Sequence, residues 1–366
     1  MKSVAVFFGG QSIEHEISVI TGALTLNSLD KTLYNPIPIY VDKDGKWYTG
    51  ESLFDIDSYK NLEVKKLKRV TLLFGDNKLY KIKGKKITPF CEIAFIINCM
   101  HGERGEDGSL AGIARANNLA FASPDIFCSS VCMSKLATKI FLKGLNVKTL
   151  NYLSVDCINI DKAILDKITY PVIVKPDTGG SSIGITVAQD QTSLKYAVSV
   201  ALRYGKKAIV ERYLENATEI NCAIYRGDNG LVVSECEKPI FVGELLSFND
   251  KYKDGGRVFP ADIPKKLSDK IKNITKTVYD ALDGEGVIRV DFLIKDGVVY
   301  VNEINTVPGS LAYYLFGERT ADFTKMLNQL LKRANENSAK QSSLKTNYDS
   351  GILNGLKGKG AKRLKN

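Results

Sequence analysis

The strongest chemical pattern in the sequence is a group of polar side chains on two successive predicted strands. Arg289 and Asp291 alternate along the first strand and Glu303 and Asn305 along the second, so each pair shares one face of its strand. The Lys-Asp-Gly segment at 295–297 favours a tight hairpin turn, which makes the two strands neighbours. Oxygen ligands beside an arginine suit Mg²⁺ together with substrate phosphates, whereas the alternative is a solvated polar face.

A second candidate for chemistry is the Gly/Ser loop at residues 175–182, Lys-Pro-Asp-Thr-Gly-Gly-Ser-Ser. Its glycines allow backbone N–H groups to approach phosphate oxygens, Ser181 and Ser182 add hydroxyl donors, and Lys175 adds a positive charge. The order of the glycines matches neither a Walker A loop nor the dinucleotide fingerprint. The loop predicts a phosphate contact of another kind, and the alternative is an ordinary Gly-rich hairpin.

Two further loops follow predicted strands, at the place where open α/β sheets bind ligands. The first, residues 9–18, contains Glu14 and His15, although its acidic residues could instead favour the N-terminus of a helix. The second, residues 101–109, begins with His101 and contains Gly-Glu-Asp-Gly. We interpret His15 as structural, and for His101 a structural and a functional role are both open.

Alternating segments must position these residues. Strand 3–8, helix 16–29 and strand 35–41 follow one another, which predicts a parallel sheet. Lys-, Gly- and Val-rich hairpins come next, then a strand at 93–99 that is apolar on both faces. The rest of the chain predicts helices at 110–117, 129–142, 193–204 and 265–282, and strands at 170–176, 185–188, 208–213, 220–225, 231–235, 286–294 and 298–304.

Length and composition limit the class of protein. A chain of 366 residues is long enough for two or three domains. Its 44% hydrophobic and 25% charged residues are typical of a globular protein and exclude a wholly disordered, collagenous or coiled-coil chain. The sequence has no stretch near the roughly 20 apolar residues of a membrane span, and its first strand runs into Gly-Gly rather than forming a signal peptide. We therefore expect no membrane partner.

Charge and cysteine content narrow the class further. Of the net charge of +10, residues 332–366 carry +7, through nine basic and two acidic side chains, which leaves too little on the body to predict a nucleic-acid partner. The seven cysteines lack Cys-x-x-Cys spacing and there are two histidines, so we expect free thiols in a cytoplasmic protein and no zinc site. The Lys-, Gly-, Ser- and Asn-rich region after residue 335 is predicted to be loosely ordered.

Together these motifs resemble the D-alanine–D-alanine ligases of the ATP-grasp superfamily over residues 3–333. Four motifs occur in the family's order. They are Gly-Gly-x-Ser-x-Glu-x-Glu from Gly9, His-Gly…Gly-Glu-Asp-Gly from His101, Lys-Pro…Gly-Ser-Ser-x-Gly from Lys175 and Asn-Glu-Ile-Asn-Thr-x-Pro-Gly from Asn302.

The resemblance implies an α/β protein, α+β in its C-terminal part, with the ATP-grasp fold. It divides the chain into an N-terminal open parallel-sheet domain (1–122), a central ATP-grasp subdomain (123–212), a C-terminal ATP-grasp subdomain (213–335) and a basic tail (336–366). The implied reaction joins two D-alanines through a D-alanyl phosphate, releases ADP and phosphate, and serves peptidoglycan precursor synthesis. Family members are often dimeric, so a homodimer is one expected assembly.

The resemblance also implies a role for each matching residue. Those that would bind ATP are Lys135, Lys175, Ser182, Glu211, Tyr213, Leu214, Glu219 and Lys251. Those that would bind two Mg²⁺ or Mn²⁺ ions are Asp291, Glu303 and Asn305. The catalytic set would be Glu14, Ser181, Tyr252, Arg289 and Gly309, and the other substrate contacts would be His101, Ser310, Tyr314 and Leu315.

Within these sets some roles are specific. Glu14 would bind the ammonium group of the first D-alanine and join Ser181 and Tyr252 in a hydrogen-bonded link across domains. Arg289 and the Gly309 N–H would stabilise the oxyanion of the tetrahedral intermediate.

The second-substrate site departs from the family pattern. By count, Tyr314 stands where the family has a serine that binds the acceptor carboxylate, Ala111 replaces a glutamine, and the loop around Phe248 is short. We expect ATP and D-alanine to be substrates. For the second amino acid, D-serine or another small acceptor is an alternative to D-alanine. A nucleotide-binding protein that has lost catalysis is a further alternative, against which the intact metal-ligand set argues.

Overall fold

The computed structural model describes residues 1–240 and 256–355 of the chain. Its N-terminal part contains an eight-stranded sheet in the order β6-β5-β4-β3-β2-β1-β7-β8. The strands are β1 (Lys2–Gly9), β2 (Tyr34–Val41), β3 (Trp47–Thr49), β4 (Lys68–Leu72), β5 (Lys78–Lys83), β6 (Lys86–Glu92), β7 (Phe95–Asn98) and β8 (Ala120–Phe121).

The predicted parallel sheet is confirmed for one half of this sheet only. Strands β2, β1, β7 and β8 are parallel, whereas β2 to β6 pair in antiparallel fashion. The open parallel sheet is thus corrected to a mixed one, because β4, β5 and β6 follow one another through turns too short for a parallel crossover.

Two helices accompany this sheet, α1 (His15–Ser28) and α2 (Ser109–Ala116). Gly22 lets α1 lie directly on β1, because a Cβ at this position would come within 2.3 Å of the Phe8 ring. This close packing holds the N-terminus of α1, with Glu14 just before it, at the carboxyl end of β1. Short 3₁₀ helices at Glu51–Phe54, Ile56–Asn61 and Val64–Lys66 connect β3 to β4.

The central part is a four-stranded antiparallel sheet in the order β11-β10-β12-β9. Its elements are α3 (Ile126–Met133), α4 (Lys135–Gly144), β9 (Tyr152–Val155), α5 (Lys162–Leu165), β10 (Val172–Pro176), β11 (Thr186–Ala188), α6 (Gln191–Ala201) and β12 (Ala208–Arg212). The antiparallel pairing of β10 with β11 confirms the predicted hairpin around the Gly/Ser loop.

The single helix predicted at 129–142 is wrong, because α3 ends and α4 begins around Ser134. The backbone of Ser134 is extended, and its hydroxyl accepts a hydrogen bond from the Ala137 N–H at 3.1 Å while donating to the Asp177 carboxylate at 3.0 Å. This N-cap starts a new helix and places Lys135 beside the Gly/Ser loop.

The C-terminal part is an antiparallel sheet in the order β14-β13-β17-β18. Its elements are β13 (Thr218–Gly227), β14 (Gly230–Val233), β15 (Lys238–Ile240), β16 (Gly256–Val258), α7 (Lys265–Ala281), β17 (Val287–Lys295), β18 (Val298–Asn305) and α8 (Thr320–Ser343), with 3₁₀ helices at Gly309–Leu315 and Ile352–Gly355. Among the described residues, strands β15 and β16 pair with each other as a two-stranded sheet.

Helix α8 joins the N-terminal and C-terminal parts through a shared core. Its buried side chains Phe323, Met326 and Leu330 belong to the same cluster as Phe8 of β1 and Tyr225 of β13. The central sheet has a core of its own. Among the helices within 1–240 and 256–355, none is both long and apolar enough to cross a bilayer.

The first residues of the region that is predicted to be loosely ordered belong to a helix. Helix α8 continues to Ser343, past the boundary placed at residue 336. Extending a packed helix adds one hydrogen bond for each residue ordered, which is easier than starting a helix. Polar residues after Ala334, the last buried residue of α8, can therefore stay helical without any packing of their own.

We expect deletion of all residues after Lys340 to leave the melting temperature and phosphate release unchanged. The cut removes only the exposed end of α8 and the basic tail. A matched truncation after Arg319, which deletes the buried face of α8, should abolish folding because the shared core is lost. A large loss of activity in the first truncation would show that the tail packs on the catalytic body or builds an oligomer interface.

Candidate active site

Two adjoining cavities lie between the three parts of the chain. The larger cavity has a volume of about 660 Å³ and the smaller cavity about 460 Å³. Both are lined by Lys135, Asp291 and Glu303, so they meet at the polar strands β17 and β18. A molecule in the larger cavity and one in the smaller cavity can therefore approach each other near these side chains.

The structure brings together the polar residues predicted on the hairpin. Asp291 lies directly opposite Glu303, and Arg289 opposite Asn305. Nε and Nη2 of Arg289 donate to the two oxygens of Asp291 at 2.7 and 2.8 Å, and Nδ2 of Asn305 donates to Asp291 Oδ2 at 2.9 Å. Burial opposes the positive charge of Arg289, but Asp291 outweighs it and raises the arginine pKa well above its usual value.

These side chains fit a magnesium ion. Two carboxylates and the Asn305 amide oxygen are hard ligands, and Mg²⁺ typically takes only one or two protein carboxylates and completes its shell with water and substrate phosphates. In the described part of the chain, no cluster of three or more His, Cys, Asp or Glu side chains has the arrangement of a metal site. Asp291 and Glu303 supply the two carboxylates that Mg²⁺ typically takes, so the site would suit an ion that arrives with a phosphorylated substrate.

Thr21 of α1, which the sequence did not single out, connects two predicted substrate residues. Its hydroxyl lies 3.0 Å from His101 Nε2 and accepts a hydrogen bond from the Ser310 N–H at 3.1 Å. Burial, and then the positive charge of Arg289, lower the pKa of His101 to about 3, so the imidazole is neutral near pH 7. His101 therefore acts as a neutral hydrogen-bonding group.

The loop after β18 has an unusual backbone. Ser310, Leu311 and Ala312 have φ angles of 51°, 51° and 49°, a left-handed region that side chains other than glycine rarely adopt. The hydrogen bond from Ser310 to Thr21 helps to hold this conformation, which keeps Gly309 on the wall of the smaller cavity.

Glu14 and Ser181 meet across the boundary between the first sheet and the Gly/Ser loop. The Ser181 hydroxyl donates a hydrogen bond to Glu14 Oε1. A Cβ at Gly180 would lie 2.9 Å from Glu14 Oε2, so glycine allows the loop backbone to come this close to the carboxylate. Tyr252, predicted to complete the link, lies outside the described residues.

Most of the predicted ATP-binding residues line the larger cavity. They are Lys135, Lys175, Ser182, Tyr213, Leu214 and Glu219. The Lys135 ammonium group donates to the Gly179 carbonyl at 2.7 Å, and that of Lys175 to Asn302 Oδ1 at 2.9 Å. Lys251, also predicted to bind ATP, lies outside the described residues.

The side chain of Glu211 occupies a different place from that expected of an ATP contact. It is buried and forms ion pairs with Lys139 and with Lys175, the latter at 2.9 Å. Burial tends to raise the Glu211 pKa, but the charges of Lys175 and Lys139 outweigh it and lower that pKa. The carboxylate can thus act on the site by positioning Lys175. Lys139 was not predicted from the sequence, although it lies one helical turn after Lys135.

A second missed residue is Glu106, from the Gly-Glu-Asp-Gly motif. Its carboxylate accepts hydrogen bonds from the Gly102 N–H at 2.8 Å and from the Val307 N–H at 2.9 Å. It thereby connects the His101 loop to the segment that carries Gly309. Burial, then the negative charges of Glu14 and Glu303, raise the pKa of Glu106 to about 7.

This raised pKa predicts a pH-dependent difference between the wild type and Glu106→Gln. A carboxyl whose pKa rises on folding favours the folded state below its unfolded value near 4.5, and this contribution is lost as the pH rises through about 7. Glutamine stays neutral, so the melting temperature of the variant minus that of the wild type should increase between pH 5 and pH 8. A difference that does not change with pH would contradict this assignment.

Tyr314 and Leu315, both predicted to contact the acceptor, lie in different surroundings. Tyr314 lines the smaller cavity with Arg289, and burial raises the pKa of its phenol, which therefore stays protonated near neutral pH. The side chain of Leu315 is buried in the core shared with α8. Its predicted contact with substrate stays a prediction.

Comparisons with known proteins agree with this arrangement. The family model for the D-ala D-ala ligase N-terminus matches residues 3–124, and that for the C-terminus matches residues 143–333. The D-alanine–D-alanine ligase of Thermosipho melanesiensis is 36% identical over 344 residues, which covers 90% of this chain and 93% of the relative.

Solved structures show the same likeness. The D-alanine–D-alanine ligase of Helicobacter pylori is 31% identical, with a TM-score of 0.75, and covers 91% of this chain and 98% of its own. The VanG D-Ala:D-Ser ligase of Enterococcus faecalis is 25% identical, with a TM-score of 0.77, and covers 91% of this chain and 99% of its own. With both family models matched in order along most of its length, this chain belongs to the D-alanine–D-alanine ligase family of the ATP-grasp superfamily.

Proposed function

We propose that this chain uses ATP to join two D-alanine molecules and so supplies D-alanyl-D-alanine for peptidoglycan synthesis. The observation that carries the proposal is the meeting of the two cavities at Asp291 and Glu303. ATP would occupy the larger cavity and the amino acids the smaller one. Family membership and the curated relatives' names support the same reaction.

The chemistry has two steps. A carboxylate is a poor acyl donor, so the donor D-alanine first attacks the γ-phosphate of ATP through a carboxylate oxygen, which gives D-alanyl phosphate and ADP. The amine of the acceptor then attacks the carbonyl, and phosphate leaves with that oxygen. When bound, Mg²⁺ would offset the negative charge of the phosphates.

The residues of the chain would position these groups. Lys135 and Lys175, which line the larger cavity, would contact the phosphates. Glu14, held by Ser181, would bind the ammonium group of the donor. Arg289 and the Gly309 N–H would stabilise the oxyanion of the tetrahedral intermediate, since fixed donors act strongly in a site shielded from water.

The function is tested by phosphate release from ATP in the presence of single amino acids and of pairs. D-alanine alone should support release, L-alanine should not, and D-serine should act as a second substrate less well than D-alanine. Release that is independent of D-alanine would contradict the proposal, and a preference for D-serine would reassign the acceptor.

We expect Tyr314→Phe to weaken acceptor binding by about tenfold to a hundredfold, because a hydrogen bond to a carboxylate is worth roughly 1.5–3 kcal/mol. ATP affinity should not change, since Tyr314 lines only the smaller of the two cavities. The measurement is the acceptor KM with D-alanine and with D-serine for both proteins. If neither value moves, another group between Ser310 and Leu315 must hold the carboxylate.

We also infer a cytoplasmic location and a homodimer. All seven cysteines are free thiols, which fits a reducing compartment. The homodimer stays a prediction from the family resemblance, and sedimentation of the purified chain would test it.

A further inference from the structure

Arg257 of β16 lines the smaller cavity beside Tyr314. This cationic side chain was not predicted from the sequence to take part in the site. The centre of its guanidinium group lies 4.6 Å from the centroid of the Tyr314 ring and 5.4 Å from that of Phe259. Contact with two aromatic rings restricts the plane of the guanidinium group and favours its positive charge. Arg257 is therefore oriented before any ligand binds.

A buried carboxylate also orients Arg257. Glu237, which is 4% exposed, accepts a hydrogen bond from Asn221 Nδ2 at 3.1 Å and lies 3.5 Å from Nη1 of Arg257. Nη1 is also 3.5 Å from the Tyr314 carbonyl. Within residues 1–240 and 256–355, both of these polar contacts use Nη1, and both are long at 3.5 Å. Nε and Nη2 can therefore form a short, bidentate pair with another carboxylate.

The charges around the smaller cavity leave few places for a bound carboxylate. Its wall carries the acidic residues Glu14, Glu106, Glu237, Asp291 and Glu303, which would repel an anion. The basic residues that line it in the described part of the chain are Lys135, Arg257 and Arg289. Lys135 contacts the Gly/Ser loop, and Arg289 is paired with both oxygens of Asp291.

We propose that Arg257 binds the carboxylate of the acceptor amino acid, with the Tyr314 ring as its platform and the Tyr314 phenol as a second donor. This inference rests on the proposed ligase function and adds a specificity-determining residue to it. Arg257 would compensate for the serine that this chain lacks at position 314. It would also select acceptors that carry a free carboxylate over those that do not.

The test compares two acceptors in one reaction mixture, D-alanine and D-alanine amide, which lacks the carboxylate. The ratio of the two dipeptide products is measured by mass spectrometry. In Arg257→Gln the preference for D-alanine should fall by about tenfold to a hundredfold, the value of a charge-assisted hydrogen bond. Because both products come from the same molecules, a partly misfolded sample does not change the ratio.

Two further variants complete the design. Arg257→Lys keeps the charge but not the planar fork, so it should recover only part of the preference. Lys238→Gln removes a positive charge from an exposed residue of β15, paired with Val258 of β16, and should leave the ratio unchanged.

A donor assay separates this inference from the function on which it rests. With hydroxylamine as the nucleophile, ATP and D-alanine should give D-alanine hydroxamate in the wild type and in Arg257→Gln alike. If the wild type forms no hydroxamate, the ligase function fails and the inference fails with it. If hydroxamate forms normally and the product ratio of Arg257→Gln equals that of the wild type, the inference alone is overturned.

Discussion

Asp291→Asn and Glu303→Gln are each expected to reduce phosphate release by about a thousandfold or more, because a bound metal ion contributes several kcal/mol of charge stabilisation to the transition state. The two carboxylates face each other at the point where the cavities meet. Both substitutions keep the shape of the side chain, so circular dichroism should stay close to that of the wild type. Asp291→Asn should lower the melting temperature, because it leaves Arg289 without its carboxylate partner, whereas Glu303→Gln should not.

A matched control comes from the same hairpin. Asp296→Asn removes an exposed carboxylate in the turn between β17 and β18 and should leave phosphate release unchanged. Removal of divalent cations with a chelator should stop the wild-type reaction, and added Mg²⁺ should restore it. Near-normal turnover in both Asp291→Asn and Glu303→Gln would show that these carboxylates do not hold the ion.

The second large effect is expected at the ion-pair cluster beneath the larger cavity. Its three side chains are almost fully buried, with exposures of 1% for Glu211, 4% for Lys139 and 8% for Lys175. Glu211→Gln leaves two buried lysines without their carboxylate, and breaking a buried pair in this way costs about 3–5 kcal/mol. Lys139→Met should cost less, because Glu211 and Lys175 still form a balanced pair.

Urea denaturation of the three proteins measures this asymmetry. Glu215→Gln, an exposed carboxylate four residues further along the chain, is the control and should behave like the wild type. Two results would show that Glu211 does not neutralise the buried charges of Lys139 and Lys175. One is a Glu211→Gln variant as stable as the wild type, and the other is a Lys139→Met variant less stable than Glu211→Gln.

Several features of the site could be predicted because their causes are local. Alternation along the strands and an Asp-Gly turn were enough to predict that the polar residues of β17 and β18 converge. The β-bulge between Asp291 and Phe292, which places Asp291 opposite Glu303, was not predicted. The Gly/Ser loop between two short strands was enough to predict the β10–β11 hairpin. In both cases the residues that determine the structure lie within about ten positions of one another.

Other features depend on contacts between distant segments and could not be predicted. The break between α3 and α4 follows from the contact of Ser134 with Asp177 in another hairpin. Glu106 binds the N–H of Val307, 201 residues further along the chain. The position of Arg257 against Tyr314 likewise depends on how β16 lies beside the loop after β18.

The transfer of oxygen from D-alanine to phosphate tests the formation of D-alanyl phosphate most directly. The chain is incubated with ATP and D-alanine labelled with ¹⁸O in its carboxylate, and the products are analysed by mass spectrometry. The acyl phosphate mechanism predicts D-alanyl-D-alanine together with phosphate that carries one ¹⁸O atom for each dipeptide formed. Dipeptide accompanied by unlabelled phosphate would rule out the acyl phosphate, and phosphate release without dipeptide would contradict the ligase function itself.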